Sequence, residues 1–197
     1  MSGRLVGALA VGVITLTGCS STDAEGTAEE TSGGGEPTEL LAEHGLDGLD
    51  GTELVDRLDT MAVSDRPTNL VASVRPDSVM VSDGISDAEV AIDVPDDLFY
   101  VSVAPYVDQT HECYFHSLTT CLGELRDEEV EVTITDDATG EVLVEETTTT
   151  FDNGFVGYWL PRDIDATISA AHDGKSGELQ IATGDEDPTC LTELRLA

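Results

Sequence analysis

Positive charge is scarce in this chain, in which eight Lys and Arg residues stand against 41 Asp and Glu residues, giving a formal net charge of −33. Lys175 is the only lysine. A surface of this sign repels phosphate, so nucleic acids and anionic lipid surfaces are poor partners for the protein surface itself. The carboxylates are spread along the whole sequence, which indicates a well-solvated surface more than a funnel for cations.

Long apolar runs are equally scarce, and the one that occurs lies at the N-terminus. Leu5 to Leu16 follows Arg4 and leads into Leu16-Thr17-Gly18-Cys19. The run is too short to span a bilayer and is typical of a signal peptide. Leu-Thr-Gly-Cys resembles the lipobox of bacterial lipoproteins. We therefore predict a lipoprotein signal peptide over residues 1–19, lipidation of Cys19, and an extracytoplasmic protein that is anchored to the cell membrane through its lipid.

Cysteine is limited to four residues. With Cys19 assigned to the lipid, three remain in an exported protein, and they are Cys113, Cys121 and Cys190. An odd number outside the cytoplasm implies a spare thiol, an intermolecular bridge or a use other than structural disulfides. The count favours metal or redox chemistry, with one disulfide plus one spare thiol as the alternative.

Composition divides the rest of the chain into three parts. Residues 20–36 contain Ser, Thr, Glu and three consecutive glycines, and we predict a flexible linker there. Residues 37–86 are predicted to form a small α/β N-terminal region, and residues 87–197 a β-rich metal-binding domain. The boundary is placed near residues 83–88, where Asp83-Gly84 interrupts the pattern.

Two short helices are predicted at the start of the folded part. Pro37 suits the first helical position and Gly45 a helix end. Thr52 or Asp50 could cap a second helix that carries Leu54, Val55 and Leu58 on one face.

Short strands separated by turns make up the remainder. The segment from Val130 to Thr135 alternates between apolar and polar residues, and turn sequences follow at Asp137–Gly140 and Asp152–Gly154. This spacing predicts a mainly β protein with a small helical N-terminal part, in which the C-terminal domain is an antiparallel β-sandwich or barrel-like.

The densest chemistry lies in His111-Glu112-Cys113-Tyr114-Phe115-His116 and in Cys121 just beyond it. If this segment is a strand, His111 and Cys113 share a face about 7 Å apart and can reach one ion, whereas His116 needs a bulge to join them. Cys190 opens the predicted last strand and could lie beside this segment.

Several chemistries fit this spacing. Thiolates favour Cu(I) and also Zn, and Zn would recruit His111 or His116 to reach four ligands. The chain has no pair of CxxC motifs, so it matches no common zinc-ribbon arrangement. A Cys113–Cys121 disulfide and inert buried thiols are the other readings. The spacing alone leaves these alternatives open.

Three blocks resemble the CueP family of exported bacterial copper-binding proteins. They read PYVDQTHECYFHSLTTCLGEL at residues 105–125, TTFDNGF with WLPRD at residues 149–163, and DPTCLT at residues 187–192. The resemblance covers roughly residues 37–197. It implies that Cys113, Cys121 and Cys190 bind copper. The strand pattern separately favours His111 over His116 as a histidine that helps them.

The resemblance also implies roles in copper tolerance outside the cytoplasm, in delivery of copper to a periplasmic superoxide dismutase, and in cysteine-dependent reduction of Cu(II). The leading hypothesis is a lipid-anchored protein that holds Cu(I) through three cysteines, with zinc as the alternative metal. The second hypothesis is a thiol oxidoreductase or cupric reductase that uses Cys113 and Cys121. The third is a non-metal interaction domain with one disulfide. The sequence favours a metal-binding protein over an enzyme.

Overall fold

The computed structural model describes residues 37–197, which begin with two short helices, α1 (Pro37–Glu43) and α2 (Gly51–Asp59). Both helices were predicted, and α1 begins at Pro37 as expected. Gly45 follows α1 with φ of 66°. Of the two predicted caps of α2, Asp50 is the one used: its side chain accepts a hydrogen bond from the Glu53 N–H, and the Glu53 side chain accepts one from the Asp50 N–H.

Within residues 37–197, ten strands and one 3₁₀ turn follow the helices. The 3₁₀ turn spans Val63–Asp65. The strands are β1 (Val71–Val74), β2 (Ser78–Ser82), β3 (Glu89–Asp93), β4 (Leu98–Val103), β5 (Glu129–Asp136), β6 (Val142–Thr149), β7 (Val156–Pro161), β8 (Asp165–His172), β9 (Lys175–Ala182) and β10 (Cys190–Leu191). The chain is therefore mainly β with a small helical N-terminal part, as predicted.

The strands form three sheets with the orders β1-β2-β3, β10-β4-β7 and β6-β5-β8-β9. All neighbours pair antiparallel except β10, which runs parallel to β4. The sheets pack in a sandwich-like way and none of them closes into a barrel within residues 37–197. Of the two predicted architectures, sandwich or barrel-like, the antiparallel sandwich is confirmed.

The β10-β4-β7 sheet lies between two hydrophobic cores. On one face Phe99, Val101 and Val103 of β4 pack against the four-stranded sheet, in a core that contains Val132 and Ile168. On the other face Tyr100 and Trp159 join the helices and the β1-β2-β3 sheet in a second core. Because successive strand residues point to opposite faces, β4 serves both layers.

Alternation along β4 brings polar side chains into the second layer. Tyr100 and Ser102 point toward the end of α2, where Asp59 lies, while Phe99 and Val101 face away from it. The sequence of β4 thus places two hydroxyl groups under the last turn of α2.

The connection from β4 to β5, residues 104–128, contains the His111–Leu118 segment, whose conformation the sequence left open. Instead of a strand over His111–Leu118, the described structure has isolated bridges in this connection, one of which pairs Ser117 with Ser73 of β1. The His116 carbonyl accepts the Val74 N–H at 2.8 Å. The segment is therefore held by the edge of the first sheet and does not form an independent strand.

The predicted signal peptide (1–19), with Cys19, and the predicted linker (20–36) lie outside the described residues. Within residues 37–197 no helix is long and apolar enough to cross a membrane. The predicted boundary near residues 83–88 falls between β2 and β3, two strands that pair with each other. The division into residues 37–86 and 87–197 stays a prediction.

Candidate metal centre

The structure brings Cys190 to the segment that carries Cys113 and Cys121, which are eight residues apart in the sequence. The Sγ atoms of Cys113 and Cys121 lie 3.5 Å apart. Cys190 joins Cys121 and His116 in a buried group whose ligand atoms all lie within 4.8 Å of one another, and His111, Cys113 and Cys121 form a second group by the same measure. Cys121 belongs to both groups, so the five predicted site residues form one continuous cluster.

Backbone hydrogen bonds fix the positions of Cys121 and Cys190. Cys121 closes a tight turn in which its N–H donates to the Ser117 carbonyl at 3.1 Å, while the Ser117 N–H points at the Cys121 sulfur at 3.3 Å. Cys190 opens β10, and its N–H donates to the Tyr114 carbonyl at 3.1 Å. The last strand is therefore bonded directly to the segment that carries Cys113.

His116 is oriented by a buried carboxylate. Its Nε2 atom lies 2.9 Å from Asp59 Oδ1, and its Nδ1 atom lies 3.7 Å from the Cys190 sulfur. Both His116 and Asp59 are fully buried. A histidine that ligates a metal commonly donates its other ring N–H to a carboxylate, and His116 has this arrangement, with Nδ1 directed at the thiols.

Asp59 is itself held by three other side chains. Its Oδ2 accepts hydrogen bonds from the Tyr100 hydroxyl at 2.7 Å and the Ser102 hydroxyl at 3.0 Å, and its Oδ1 accepts one from Asn153 Nδ2 at 2.7 Å. A buried carboxylate is stable only when its oxygens are satisfied in this way. The network fixes the carboxylate, which in turn fixes the His116 ring.

His111 occupies a different position. Its side chain is exposed, and its ring meets Phe155 edge-on with 6.4 Å between the ring centroids. A cavity of about 440 Å³ adjoins it, lined in part by Tyr106, Thr110 and Glu124. His111 thus lies on the solvent side of the cluster, while His116 lies on the protein side.

Charge at the centre is set by the Asp59–His116 pair. Burial opposes ionisation of Asp59, but the charge of His116 and hydrogen bonds from His116, Tyr100 and Asn153 hold the carboxyl pKa below its usual range. Burial also disfavours the His116 imidazolium, yet Asp59 raises the pKa of His116 to about 9. At neutral pH the metal-free pair is therefore a buried carboxylate facing an imidazolium.

The neighbours of the three thiols shift their pKa values in different directions. Hydrogen bonds from Cys113 and Cys190, together with the neighbouring His116, lower the pKa of Cys121 against the effect of burial. The hydrogen bond to Cys121 raises the pKa of Cys113 to about 11, and hydrogen bonds to both other thiols raise the pKa of Cys190. Cys121 is therefore the thiol whose ionised form its neighbours favour.

This donor set suits a soft metal ion. Thiolate sulfurs select Cu(I) and Zn over hard cations, and imidazole can complete either site. The three cysteines among the described residues are free, and the 3.5 Å between Cys113 and Cys121 is longer than the ~2.05 Å of a disulfide bond. The pair is nevertheless close enough to form that bond on oxidation.

Sequence reasoning missed Asp59 and Asn153. Asp59 follows Leu54, Val55 and Leu58 on the buried face of α2, so a carboxylate at a core position of an amphipathic helix was a usable signal. Asn153 lies in a predicted turn, and nothing in its sequence distinguishes it from an ordinary turn asparagine.

The mainly β fold and the convergent thiols define a protein with a cysteine-rich candidate site for a soft metal ion. The comparisons agree with that class. The profile of the CueP family, described as periplasmic copper-binding protein CueP, matches residues 53–195. A solved structure described as S.CueP is 37% identical, covers 83% of this chain and 98% of its own, and superposes with a TM-score of 0.75. No curated protein compared with the chain matches it. The chain belongs to the CueP family of periplasmic copper-binding proteins.

Proposed function

We propose that this protein holds Cu(I) through the thiolates of Cys113, Cys121 and Cys190, with an imidazole of His116 or His111 as a further donor. It would buffer copper outside the cytoplasm or pass it to an extracytoplasmic copper enzyme such as a superoxide dismutase. Zinc is the competing metal for the same donors.

One observation supports this proposal: Cys121 belongs to two groups of close ligand atoms, one with Cys113 and the other with Cys190, and all three thiols are free. Cu(I) accepts low coordination numbers with sulfur donors, whereas Zn requires four ligands. The buried Cys190 and Cys121 shield the centre, and the half-buried Cys113 lies where an incoming donor could exchange with it. Ligand exchange at Cys113 would therefore release copper to an acceptor.

Anaerobic titration of reduced protein with Cu(I), in competition with a strong chelator, tests the proposal. Cys19→Ser serves as the parent, since it removes the predicted lipid and keeps the three thiols. The parent is expected to bind one Cu(I) tightly, and replacement of residues 113, 121 and 190 by serine should abolish that binding. Equal binding by the parent and the triple variant would refute the proposal.

The lipid anchor is a separate proposal that depends on Leu16-Thr17-Gly18-Cys19. We expect the natural chain to fractionate with membranes and to incorporate a radiolabelled fatty acid, and Cys19→Ser to do neither. Thr17→Ser is a matched control that changes the same segment and keeps the cysteine. Release of the natural chain without detergent would contradict the anchor.

Cupric reduction is the second candidate function, favoured by the 3.5 Å separation of Cys113 and Cys121. Two thiols that form a disulfide release two protons and two electrons. The two electrons reduce two Cu(II) ions to Cu(I). Positive charge that favours the Cys121 thiolate comes from His116, although the sequence around the cysteines is acidic.

Stoichiometry separates reduction from storage. A reductase regenerated by an added dithiol should convert many equivalents of Cu(II) per protein, and Cys190→Ser should retain the reaction because Cys113 and Cys121 remain. A single round of two Cu(II) per protein, with no turnover, would leave Cu(I) binding as the function.

A further inference from the structure

Arg66 is a buried cation beside the candidate metal centre. Its exposed fraction is 8%, and its Nη1 atom donates a hydrogen bond to the Cys121 carbonyl at 2.9 Å. Its Nε and Nη2 atoms are buried and have no hydrogen-bond partner within residues 37–197. The side chain therefore places a full positive charge against the residue that belongs to both groups of the cluster.

The neighbouring carboxylates do not neutralise this charge by direct pairing. Asp152 accepts the Val63 N–H at 2.6 Å and pairs with Arg126 at 2.5 Å. Asp59 is occupied by His116 and the hydroxyl and amide groups around it. Among the described residues Arg66 has no carboxylate within 4 Å. A buried and unpaired cation is costly, and it is tolerated where a compensating negative charge lies close by.

Metal binding creates such a negative charge. Three thiols that bind one metal ion release three protons, so the sulfur–metal group carries a charge of −2 with Cu⁺ and −1 with Zn²⁺. If the Cys121 thiol is already ionised, one proton fewer is released and the final charges are the same. For a given set of thiolates, the cuprous centre is one unit more negative than the zinc centre.

We propose that Arg66 is a positioning residue that supplies the counter-charge of the thiolate–metal centre, and that it favours Cu(I) over Zn(II) for this reason. The inference rests on the proposed function. Electrostatic attraction to a fixed cation grows with the negative charge of the centre, and it is strong where both are shielded from water. The hydrogen bond to the Cys121 carbonyl holds the guanidinium at that position.

Substitution of Arg66 tests the role of its charge. In the Cys19→Ser parent, Arg66→Met removes the charge at similar length, and Arg66→Lys keeps it without the planar fork. Arg126→Met is the matched control, because Arg126 is a neighbouring but exposed arginine. Cu(I) and Zn(II) affinities of each reduced variant are measured by competition with chelators, after circular dichroism has shown that the variant is folded.

We expect Arg66→Met to lower the Cu(I) affinity by roughly tenfold and the Zn(II) affinity by less, so that the ratio of the two affinities falls. Arg66→Lys should restore the ratio, and Arg126→Met should leave it unchanged. If Arg66→Met lowers both affinities equally, Arg66 is only a structural support for Cys121 and the inference is wrong. Cysteine-dependent Cu(I) binding by the parent would still uphold the proposed function in that case.

A second measurement needs no variant. The Arg66 Nε–H resonance of the ¹⁵N-labelled parent should shift and exchange more slowly when one equivalent of Cu(I) is added, and shift less with Zn(II). The Arg162 Nε–H is the internal reference, because the Arg162 guanidinium donates a hydrogen bond to the Pro76 carbonyl and not to the cysteine segment. An Arg66 resonance that responds equally to both metals, or to neither, would overturn the inference.

Discussion

The Nε2 atom of His116 lies 2.9 Å from the Oδ1 atom of Asp59, and neither side chain is exposed to solvent. The two residues are 57 positions apart in the sequence. The other ring nitrogen of His116 points at Cys190. The Asp59 carboxylate, at the end of α2, therefore orients the imidazole toward the thiols. The helical N-terminal part of the chain therefore contributes directly to the centre.

Replacement of Asp59 by Asn should weaken both the fold and the site. The substitution leaves His116 and the Tyr100 hydroxyl without their buried anion, and loss of one partner from a buried pair costs roughly 3–5 kcal/mol. We expect the free energy of unfolding of the metal-free protein to fall by about 3 kcal/mol in urea denaturation. Loss of an outer-shell partner should lower Cu(I) affinity by roughly 10–100-fold.

Asp56→Asn is the control for this prediction, because it makes the same substitution one turn earlier in α2. Asp56 is exposed and accepts a hydrogen bond from Trp159 Nε1 at 3.0 Å. Its replacement should cost less than about 1 kcal/mol and leave Cu(I) affinity unchanged. Similar losses in both variants would mean that the Asp59–His116 pair has no special role.

His116 should titrate above ordinary histidines in the metal-free protein. Because Asp59 raises the pKa of His116 to about 9, the ring should stay protonated at pH 7.5, where free histidine is mostly neutral. Nuclear magnetic resonance of the ring C–H protons of His116 checks this. In Asp59→Asn the midpoint should fall. A His116 midpoint near 6.5 in the unmodified protein would contradict the pairing.

Mild oxidation of the metal-free protein should join Cys113 to Cys121. Their sulfurs are 3.5 Å apart, and the lowered pKa of Cys121 supplies the thiolate that attacks an oxidised partner. Cys190 should remain as the thiol that is alkylated once the oxidised protein is unfolded. Peptide mapping identifies the pair. Prior binding of Cu(I) should slow the oxidation. A Cys121–Cys190 bridge as the main product in the metal-free protein would refute this order of reactivity.

The sequence was a good guide where structure follows from local pattern. The α2 cap, the turn at Asp137–Gly140 and the alternation in β5 depend on neighbours within a few residues, and the structure has all three. The thiols were also identifiable, because cysteine is so rare in the chain that each one could be considered individually.

The parts that could not be predicted depend on contacts between distant segments. Asp59 meets His116 across 57 positions and Arg66 meets Cys121 across 55, and no spacing in the sequence reports either contact. The sequence left the conformation of His111–Leu118 open, and in the described structure its backbone groups bond to β1 and to Thr189. Long-range pairing decided the local conformation there.

A turn that is distant from Cys121 in the sequence but in contact with its segment should also influence the centre. Gly154 has φ of 83°, and a Cβ atom at this position would lie 2.8 Å from the backbone of Gly123, two residues after Cys121. The preceding residue, Asn153, holds Asp59. Gly154→Ala therefore combines backbone strain with a collision against the cysteine segment.

Gly140→Ala separates these two effects, because Gly140 has φ of 72° and open space around it. Strain alone should cost about 1–2 kcal/mol of unfolding free energy in Gly140→Ala, and Cu(I) affinity should not change. In Gly154→Ala the two chain segments must also move apart, so the loss should exceed that of the control by about 1 kcal/mol or more, and Cu(I) affinity should fall with it. Urea denaturation and Cu(I) competition measure the two quantities. Equal stability losses with unchanged affinity would show that the Gly123–Gly154 contact does not support the centre.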